Sequence, residues 1–177
     1  DAYHSWQDAP SDIHEALRYL EDHATELSID PQSIHLLGQS AGGHLALLEA
    51  YRYNQVRSVI SLYGPVDLEL DYKTSRDISA ELDFIGGSPS EYPDRYRSLS
   101  PLHAVTPNAP PSLLVQGERD DLVAAQNALI LAQALDRHGV PRDVLLLPLT
   151  GHSFENQQGG FATQLAAYKV IDFLERY

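Results

Sequence analysis

The chain has 177 residues, the length of one domain, and its 43% hydrophobic content is enough to fill a core, so disorder of the whole chain is excluded. No apolar run approaches the length needed to cross a bilayer, and no signal peptide is visible. The 12 Lys and Arg against 25 Asp and Glu give a net charge of −13, which disfavours nucleic acids and anionic membranes as partners, and the absence of Cys excludes disulfides and thiolate metal sites.

The first third of the chain shows helical and strand patterns in alternation. Ser11 is the expected N-cap of the first helix, and Pro31 limits its end because the residue before a proline avoids the helical conformation. The predicted elements are an irregular opening segment over 1–10, a helix over 12–27, a strand over 33–38, a helix over 41–53 and a strand over 56–63. The helix over 41–53 is apolar nearly all round, which is typical of a buried helix.

The rest of the chain begins with a long stretch, 66–110, that contains five Pro and no sustained period. We expect short helices there and a lid over the site. The candidate lid residues are Tyr72, Phe84, Ile85 and Tyr92. The elements predicted after this stretch are a strand over 111–117, a helix over 122–138, a strand over 142–149 and a helix over 161–174. Apolar strands that alternate with helices predict one α/β domain over 1–177, with a parallel sheet covered by helices on both faces.

A reactive serine is the first chemical feature of the sequence. Residues 38–42 read Gly-Gln-Ser-Ala-Gly, a G-x-S-x-G pattern between a predicted strand and a predicted helix. A tight turn at this place exposes the Oγ of Ser40, and we expect Gly38 and Gly42 to remove side chains that would clash across the turn. The N-terminus of the helix directs unpaired N–H groups at the site, and the N–H of Ala41 is the expected oxyanion donor.

Two later strands end next to acidic and histidine residues. Asp120 and Asp121 follow the third strand, and either carboxylate could orient a histidine, although Asp121 is the better placed to cap the next helix. His152 lies on a loop after the fourth strand, where a general base is expected. Of the other histidines, His44 lies one turn after the serine on the buried helix, so we expect it to be a core or pocket residue.

The carboxyl ends of parallel strands meet at one edge of a sheet, so these side chains are expected to converge. Ser40 would attack a carbonyl carbon, His152 would take its proton, and the acid would orient the imidazole. Gln39, Val123 and Phe154 lie close to these residues in sequence and are candidate substrate contacts, although packing is the alternative for Val123 and Phe154. The sequence has no metal-ligand spacing and no glycine-rich phosphate loop, so we expect neither a metal nor a cofactor.

Taken together, these motifs resemble those of the α/β-hydrolase superfamily, in which the chain order is Ser, Asp, His. Within it, the sequence is similar to carboxylesterases of the hormone-sensitive-lipase-like and feruloyl/acetyl-xylan-esterase-like groups. The segments that carry the resemblance are 38–43 (GQSAGG), 62–68 (LYGPVDL), 100–102 (SPL), 110–120 (PPSLLVQGERD) and 151–154 (GHSF). The resemblance implies the C-terminal part of an α/β-hydrolase fold, places the acid at Asp120, and implies hydrolysis of small carboxylic esters, with a short acyl group, through an acyl-enzyme.

The same triad also serves amidases such as arylformamidases, and peptidases, so these stay as alternatives. The sequence departs from the superfamily pattern because it lacks the strands that precede the first helix and the His-Gly-Gly loop that completes the oxyanion hole. With no Met at position 1, we expect an N-terminally truncated domain, for which a non-catalytic remnant is a third interpretation. The first predicted strand would then form an open sheet edge that favours self-association. The expected location is the cytoplasm.

Overall fold

A parallel sheet of four strands runs through the centre of the computed structural model, which describes residues 5–177. The strands lie side by side in chain order, and every neighbouring pair is parallel. They are β1 (His35–Gln39), β2 (Ser58–Leu62), β3 (Ser112–Gly117) and β4 (Arg142–Leu147). The carboxyl ends of all four strands therefore lie at one edge of the sheet, and the predicted parallel α/β arrangement is confirmed.

Helices cover both faces of this sheet. They are α1 (Ser5–Asp22), α2 (Ala24–Leu27), α3 (Ala41–Tyr53), α4 (Leu68–Thr74), α5 (Ser79–Ile85), α6 (Pro93–Leu99), α7 (Gln126–Arg137) and α8 (Phe161–Arg176). Val59 and Leu114 pack in one apolar cluster with α1, α3 and α7, whereas their neighbours Ile60 and Leu113 pack in another with α8. Successive strand residues thus face opposite layers, both apolar, which explains why the strands read as continuous apolar runs. None of the helices within residues 5–177 has the length and apolar character to cross a membrane.

The stretch 66–110 contains the short helices α4, α5 and α6, as its sequence predicts. These helices enclose a third apolar cluster, which they share with α3. Of the four candidate lid residues, Phe84 reaches the cavity described below. Ile85 is fully buried in the cluster, and Tyr72 and Tyr92 pack against it. These three side chains therefore anchor the segment to the body of the protein instead of covering the cavity.

The first helix begins earlier than the sequence predicts. The prediction that Ser11 is the N-cap is wrong, because α1 already begins at Ser5 and runs through Pro10. A long-range contact holds its first turn, since the Oγ of Ser5 donates to the carbonyl oxygen of Phe84 at 3.2 Å. The sequence around Ser5 does not indicate this contact, because Phe84 lies 79 positions further along the chain. Residues 1–4 of the expected irregular segment lie outside the described residues.

β1 lies at one edge of the sheet and, within the described residues, pairs with β2 alone. One of its side chains, that of Leu37, is 50% exposed. The backbone groups on the outer side of such a strand are free to pair with another chain. The self-association expected from this edge stays a prediction.

Candidate active site

Ser40 lies in the turn that joins β1 to α3. Its φ of 49° and ψ of −121° form a conformation that non-glycine residues rarely adopt, and its N–H donates to the carbonyl oxygen of Leu62 at 2.9 Å. Ala41 begins α3 beside it, so the N–H of Ala41 has no partner within the helix. Gly38 permits the turn, because a Cβ there would lie 2.1 Å from the carbonyl oxygen of Gly42. A Cβ on Gly42 would meet nothing within 4 Å, so the steric role expected of both glycines is found for Gly38 only.

Three side chains from three strand ends form one hydrogen-bonded line. His152, on the loop after β4, places its Nε2 3.0 Å from the Oγ of Ser40. Its Nδ1 lies 2.7 Å from Oδ2 of Asp120, which follows β3. Because an ionised carboxylate only accepts hydrogen bonds, Nδ1 carries the proton and Nε2 accepts from the Ser40 hydroxyl. The Asp120 side chain is 0% exposed and that of His152 is 12% exposed, so water screens this pair little.

Fixed donors hold the Asp120 carboxylate in place. Its Oδ1 accepts the backbone N–H groups of Leu122 at 3.0 Å and Val123 at 2.9 Å. Its Oδ2 accepts from the Nε2 of Gln116 at 3.0 Å, in addition to the imidazole of His152. These hydrogen bonds from backbone and side-chain donors fix the direction in which the carboxylate faces the histidine.

The capping role expected of Asp121 belongs to its neighbour. Asp120 accepts the two backbone N–H groups of the turn after β3, and α7 begins only at Gln126 instead of at 122. Asp121 instead forms an exposed ion pair with Arg76, at 3.1 Å. Of the two aspartates, Asp120 is the one whose side chain contacts the histidine.

The loops that carry Asp120 and His152 are joined backbone to backbone. The N–H of Arg119 donates to the carbonyl oxygen of Thr150 at 2.8 Å. Gly117 permits this approach, because a Cβ there would lie 2.4 Å from the same oxygen. The relative position of acid and imidazole is thus set by main-chain contacts.

Two residues that support this arrangement were missed by sequence reasoning. Gln116 bridges the Asp120 carboxylate and the carbonyl oxygen of Val123, to which its Nε2 donates at 2.9 Å. The ring of Tyr63 packs against the imidazole of His152, with the centroids 4.5 Å apart. The one available signal for Gln116 is a polar side chain inside an apolar strand. Tyr63 could not be singled out, because the buried end of a strand suits any aromatic residue.

A cavity of about 310 Å³ opens beside Ser40 and His152, with residues of 66–110 along one wall. Val123 lines it, as expected of a candidate substrate contact. The other two candidates lie elsewhere. Phe154 is buried in the apolar cluster beside α8, because the turn after the histidine directs its ring inward. Gln39 is exposed and does not line the cavity, because alternate residues of a strand face opposite sides.

His44 occupies the cavity wall one turn into α3, as its sequence position predicts. It is 3% exposed, and its Nδ1 lies 3.0 Å from the carbonyl oxygen of Pro65. Because a carbonyl only accepts, Nδ1 carries the proton and Nε2 is an acceptor, for which the described part of the chain offers no hydrogen-bond donor. Burial is the main reason that the pKa of His44 falls from 6.5 to about 4.

This burial predicts a loss of stability in mild acid. The unfolded chain takes up the His44 proton near its ordinary pKa of 6.5 and the folded chain only near 4, so stability falls as the pH drops between these values. From pH 7 to pH 5 the contribution of His44 should fall by about 2 kcal/mol. Urea unfolding of the wild type and of His44→Gln at both pH values measures it. A difference between the two proteins that does not change with pH would contradict the prediction.

The sequence is similar to that of known proteins. The family model named BD-FAE matches residues 3–135. The chain is 29% identical over 145 residues to the uncharacterized peptidase YtmA of Bacillus subtilis, covering 81% of this chain and 55% of YtmA. It is 26% identical over 196 residues to the esterase LipC of Mycobacterium tuberculosis, covering 98% of this chain and 47% of LipC. The chain therefore spans about half the length of these relatives.

A solved structure agrees with the fold and the family. The acetyl ester-xyloside bifunctional hydrolase from Caldicellulosiruptor lactoaceticus superposes with a TM-score of 0.76 at 25% sequence identity. The superposition covers 93% of this chain and 66% of that protein. Since the family model matches well over half of the sequence, the chain belongs to the BD-FAE family of α/β-hydrolase esterases.

Proposed function

We propose that this chain is a serine hydrolase that cleaves carboxylic esters with a short acyl group. The observation that carries the proposal is the hydrogen-bonded line from Ser40 through His152 to Asp120 at the wall of a cavity. Membership of the BD-FAE family and the similarity to the esterase LipC support the same reaction. The cavity of about 310 Å³ suits a small substrate.

The proposed reaction has two halves. His152 takes the proton of the Ser40 hydroxyl as Oγ bonds to the ester carbonyl carbon, and the N–H of Ala41 donates to the oxyanion that forms. The alcohol leaves with the proton from His152, and the acyl group stays on Ser40. A water then gives a proton to His152 and attacks the acyl carbon, which releases the acid and returns the proton to Ser40. Asp120 retains the Nδ1 proton on the imidazole and stabilises its charged form throughout.

A second candidate is the cleavage of amide bonds, as in an arylformamidase or a peptidase. The relative YtmA, which is named an uncharacterized peptidase, favours it. The same three residues serve both reactions. An amine leaves only when it receives the proton from His152, whereas p-nitrophenolate can leave without it. Turnover of p-nitroacetanilide beside p-nitrophenyl acetate separates the two candidates, because an esterase with no amidase activity cleaves only the second.

Covalent labelling tests the nucleophile. We expect a fluorophosphonate to add one label per chain, on the peptide that contains Ser40, and the protein to hydrolyse p-nitrophenyl acetate. Both should be lost in Ser40→Ala and retained in Ser90→Ala, which changes an exposed serine outside the cavity. Intact mass, peptide mapping and initial rates are the measurements. An unlabelled, inactive wild type with a normal circular dichroism spectrum would contradict the proposal and favour a non-catalytic remnant.

A further inference from the structure

Two carboxyl side chains in the cavity wall have no role in the proposed reaction. Asp71, in α4, is 1% exposed, and Glu81, in α5, is half-buried. Both line the cavity that contains Ser40. Within residues 5–177, no hydrogen bond of ordinary length reaches either carboxylate oxygen of Asp71 or the buried Oε2 of Glu81, although the amide of Asn127 lies close enough to Asp71 to lower its pKa slightly. Buried polar groups are normally hydrogen-bonded, so these acceptors require an explanation.

The surroundings of the pair are rich in acceptors and carry no cation. None of the described residues that line the cavity is Lys or Arg, although Asp77 also lies on its wall. His44 adds the unpaired acceptor Nε2. The nearby Arg76 is exposed and forms an ion pair with Asp121. A ligand that enters this part of the cavity therefore meets acceptors and negative charge.

The buried carboxyl of Asp71 lowers the stability of the folded protein. Burial, and then the neighbouring carboxyl of Glu81, raise the pKa of Asp71 to about 9. Because the folded pKa lies above the unfolded value of 3.8, stability is lost as the pH rises from about 4 towards 9. Asp120 and Glu81 are the acidic groups that face Asp71, and the amide of Asn127, in α7, offsets their effect only in part. No cation is among the described groups that face Asp71, whereas a bound cation would compensate the charge of its ionised form.

We propose that Asp71, Glu81 and the Nε2 of His44 form a subsite for a protonated primary amine carried by the substrate. The inference rests on the proposed serine hydrolase function and names its substrate class, which is esters whose acyl or alcohol part bears an ammonium group. An ammonium has three N–H donors and one positive charge, which match a set of unpaired acceptors around a carboxyl pair. The aromatic ring of Phe84, which also lines the cavity, offers a further favourable surface to a cation.

Matched substrates test this subsite. The p-nitrophenyl esters of β-alanine and 6-aminohexanoic acid differ from p-nitrophenyl butyrate and heptanoate by an ammonium in place of the terminal methyl group. The measured quantity is the ratio of kcat/KM between each amine ester and its methyl isostere, at a pH at which the amine is protonated. We expect this ratio to fall about 10- to 100-fold in Asp71→Asn and in Glu81→Gln, as the loss of a hydrogen bond to a charged group predicts.

Asp83→Asn is the matched control. Asp83 lies in α5, two residues after Glu81, but it is exposed and does not line the cavity, so the substitution removes an equal charge outside the site. We expect the ratio in Asp83→Asn to stay within about threefold of the wild type, since exposed charges are well screened. An unchanged ratio in both Asp71→Asn and Glu81→Gln would overturn the inference. Because Glu81 is only half-buried, Glu81→Gln carries the test if Asp71→Asn does not fold.

A binding measurement separates this inference from the proposed function. Butylammonium chloride, titrated into Ser40→Ala and followed by NMR, needs no turnover. The proton on Asp71 competes with the cation, so the affinity should rise between pH 6 and pH 9 and stay constant in Ser40→Ala combined with Asp71→Asn. If butylammonium binds as expected but the wild type hydrolyses no ester, the subsite is supported and the proposed hydrolase function is refuted. Absence of saturable binding, or the same pH dependence in both proteins, would overturn the subsite.

Discussion

We expect Asp120→Asn to lower kcat for p-nitrophenyl acetate by about 10,000-fold, the effect typical of removing the acid from a serine triad. The reason is specific to the donors around this carboxyl group. Leu122 and Val123 present N–H groups to Oδ1, so the single oxygen of an asparagine must occupy that position. The amide nitrogen then faces the Nδ1 of His152. The imidazole must accept there, its proton moves to Nε2, and Nε2 no longer accepts the proton of Ser40.

Asp121→Asn is the control for this experiment. It makes the same chemical change one residue later, on a side chain that pairs with Arg76 in solvent. We expect kcat within about twofold of the wild type, because exposed ion pairs contribute little. Initial rates and the rate of fluorophosphonate labelling are the measurements. Equal losses in both variants would show that Asp120 does not orient His152.

Gly38→Ala is expected to destabilise the fold by more than about 3 kcal/mol, beyond the usual range for overpacking. The new methyl group would lie 2.1 Å from the carbonyl oxygen of Gly42 and 2.6 Å from the N of Gly43. Both are backbone atoms of the first turn of α3, so no side-chain rotation relieves the clash. Urea unfolding measures the loss, or the yield of folded protein if the variant does not fold.

Gly42→Ala is the matched variant, two residues beyond Ser40 in the same motif. Its Cβ would meet nothing within 4 Å, and alanine favours the helix that this residue begins to form. We expect a free energy of unfolding within about 0.5 kcal/mol of the wild type. A large loss in Gly42→Ala, or none in Gly38→Ala, would show that the turn is held in another way.

The strand ends and the residues that follow them were predictable from sequence, because they depend on neighbouring residues in the chain and not on distant contacts. A buried strand, a tight turn and a helix must follow one another around Ser40, and the predicted bounds of α3 agree with the structure. The positions of Asp120 and His152 after β3 and β4 follow from the same argument. Their closeness follows because parallel strands end at one edge, whereas the hydrogen bonds among them also depend on the main-chain bond from Arg119 to Thr150.

Features that depend on contacts between distant segments were not predictable. The early start of α1 depends on Ser5 bonding to a residue of α5. Asp71 and Glu81 meet only because α4 and α5 fold over the cavity beside α3, and no local pattern reveals that. The inward direction of Phe154 likewise depends on the cluster beside α8.

The main-chain link between the loops of Asp120 and His152 distinguishes two parts of the site, which β2 joins by pairing with both β1 and β3. The acid and the base are carried by β3, β4 and the bond from Arg119 to Thr150, while the serine stands on β1 and α3. Between these parts the side chains meet at the 3.0 Å contact from Ser40 to His152. Thermal motion or strain that separates the parts changes this distance and leaves the acid–base pair intact. On heating, we therefore expect the reactivity of Ser40 to fall at a lower temperature than the one at which the sheet unfolds.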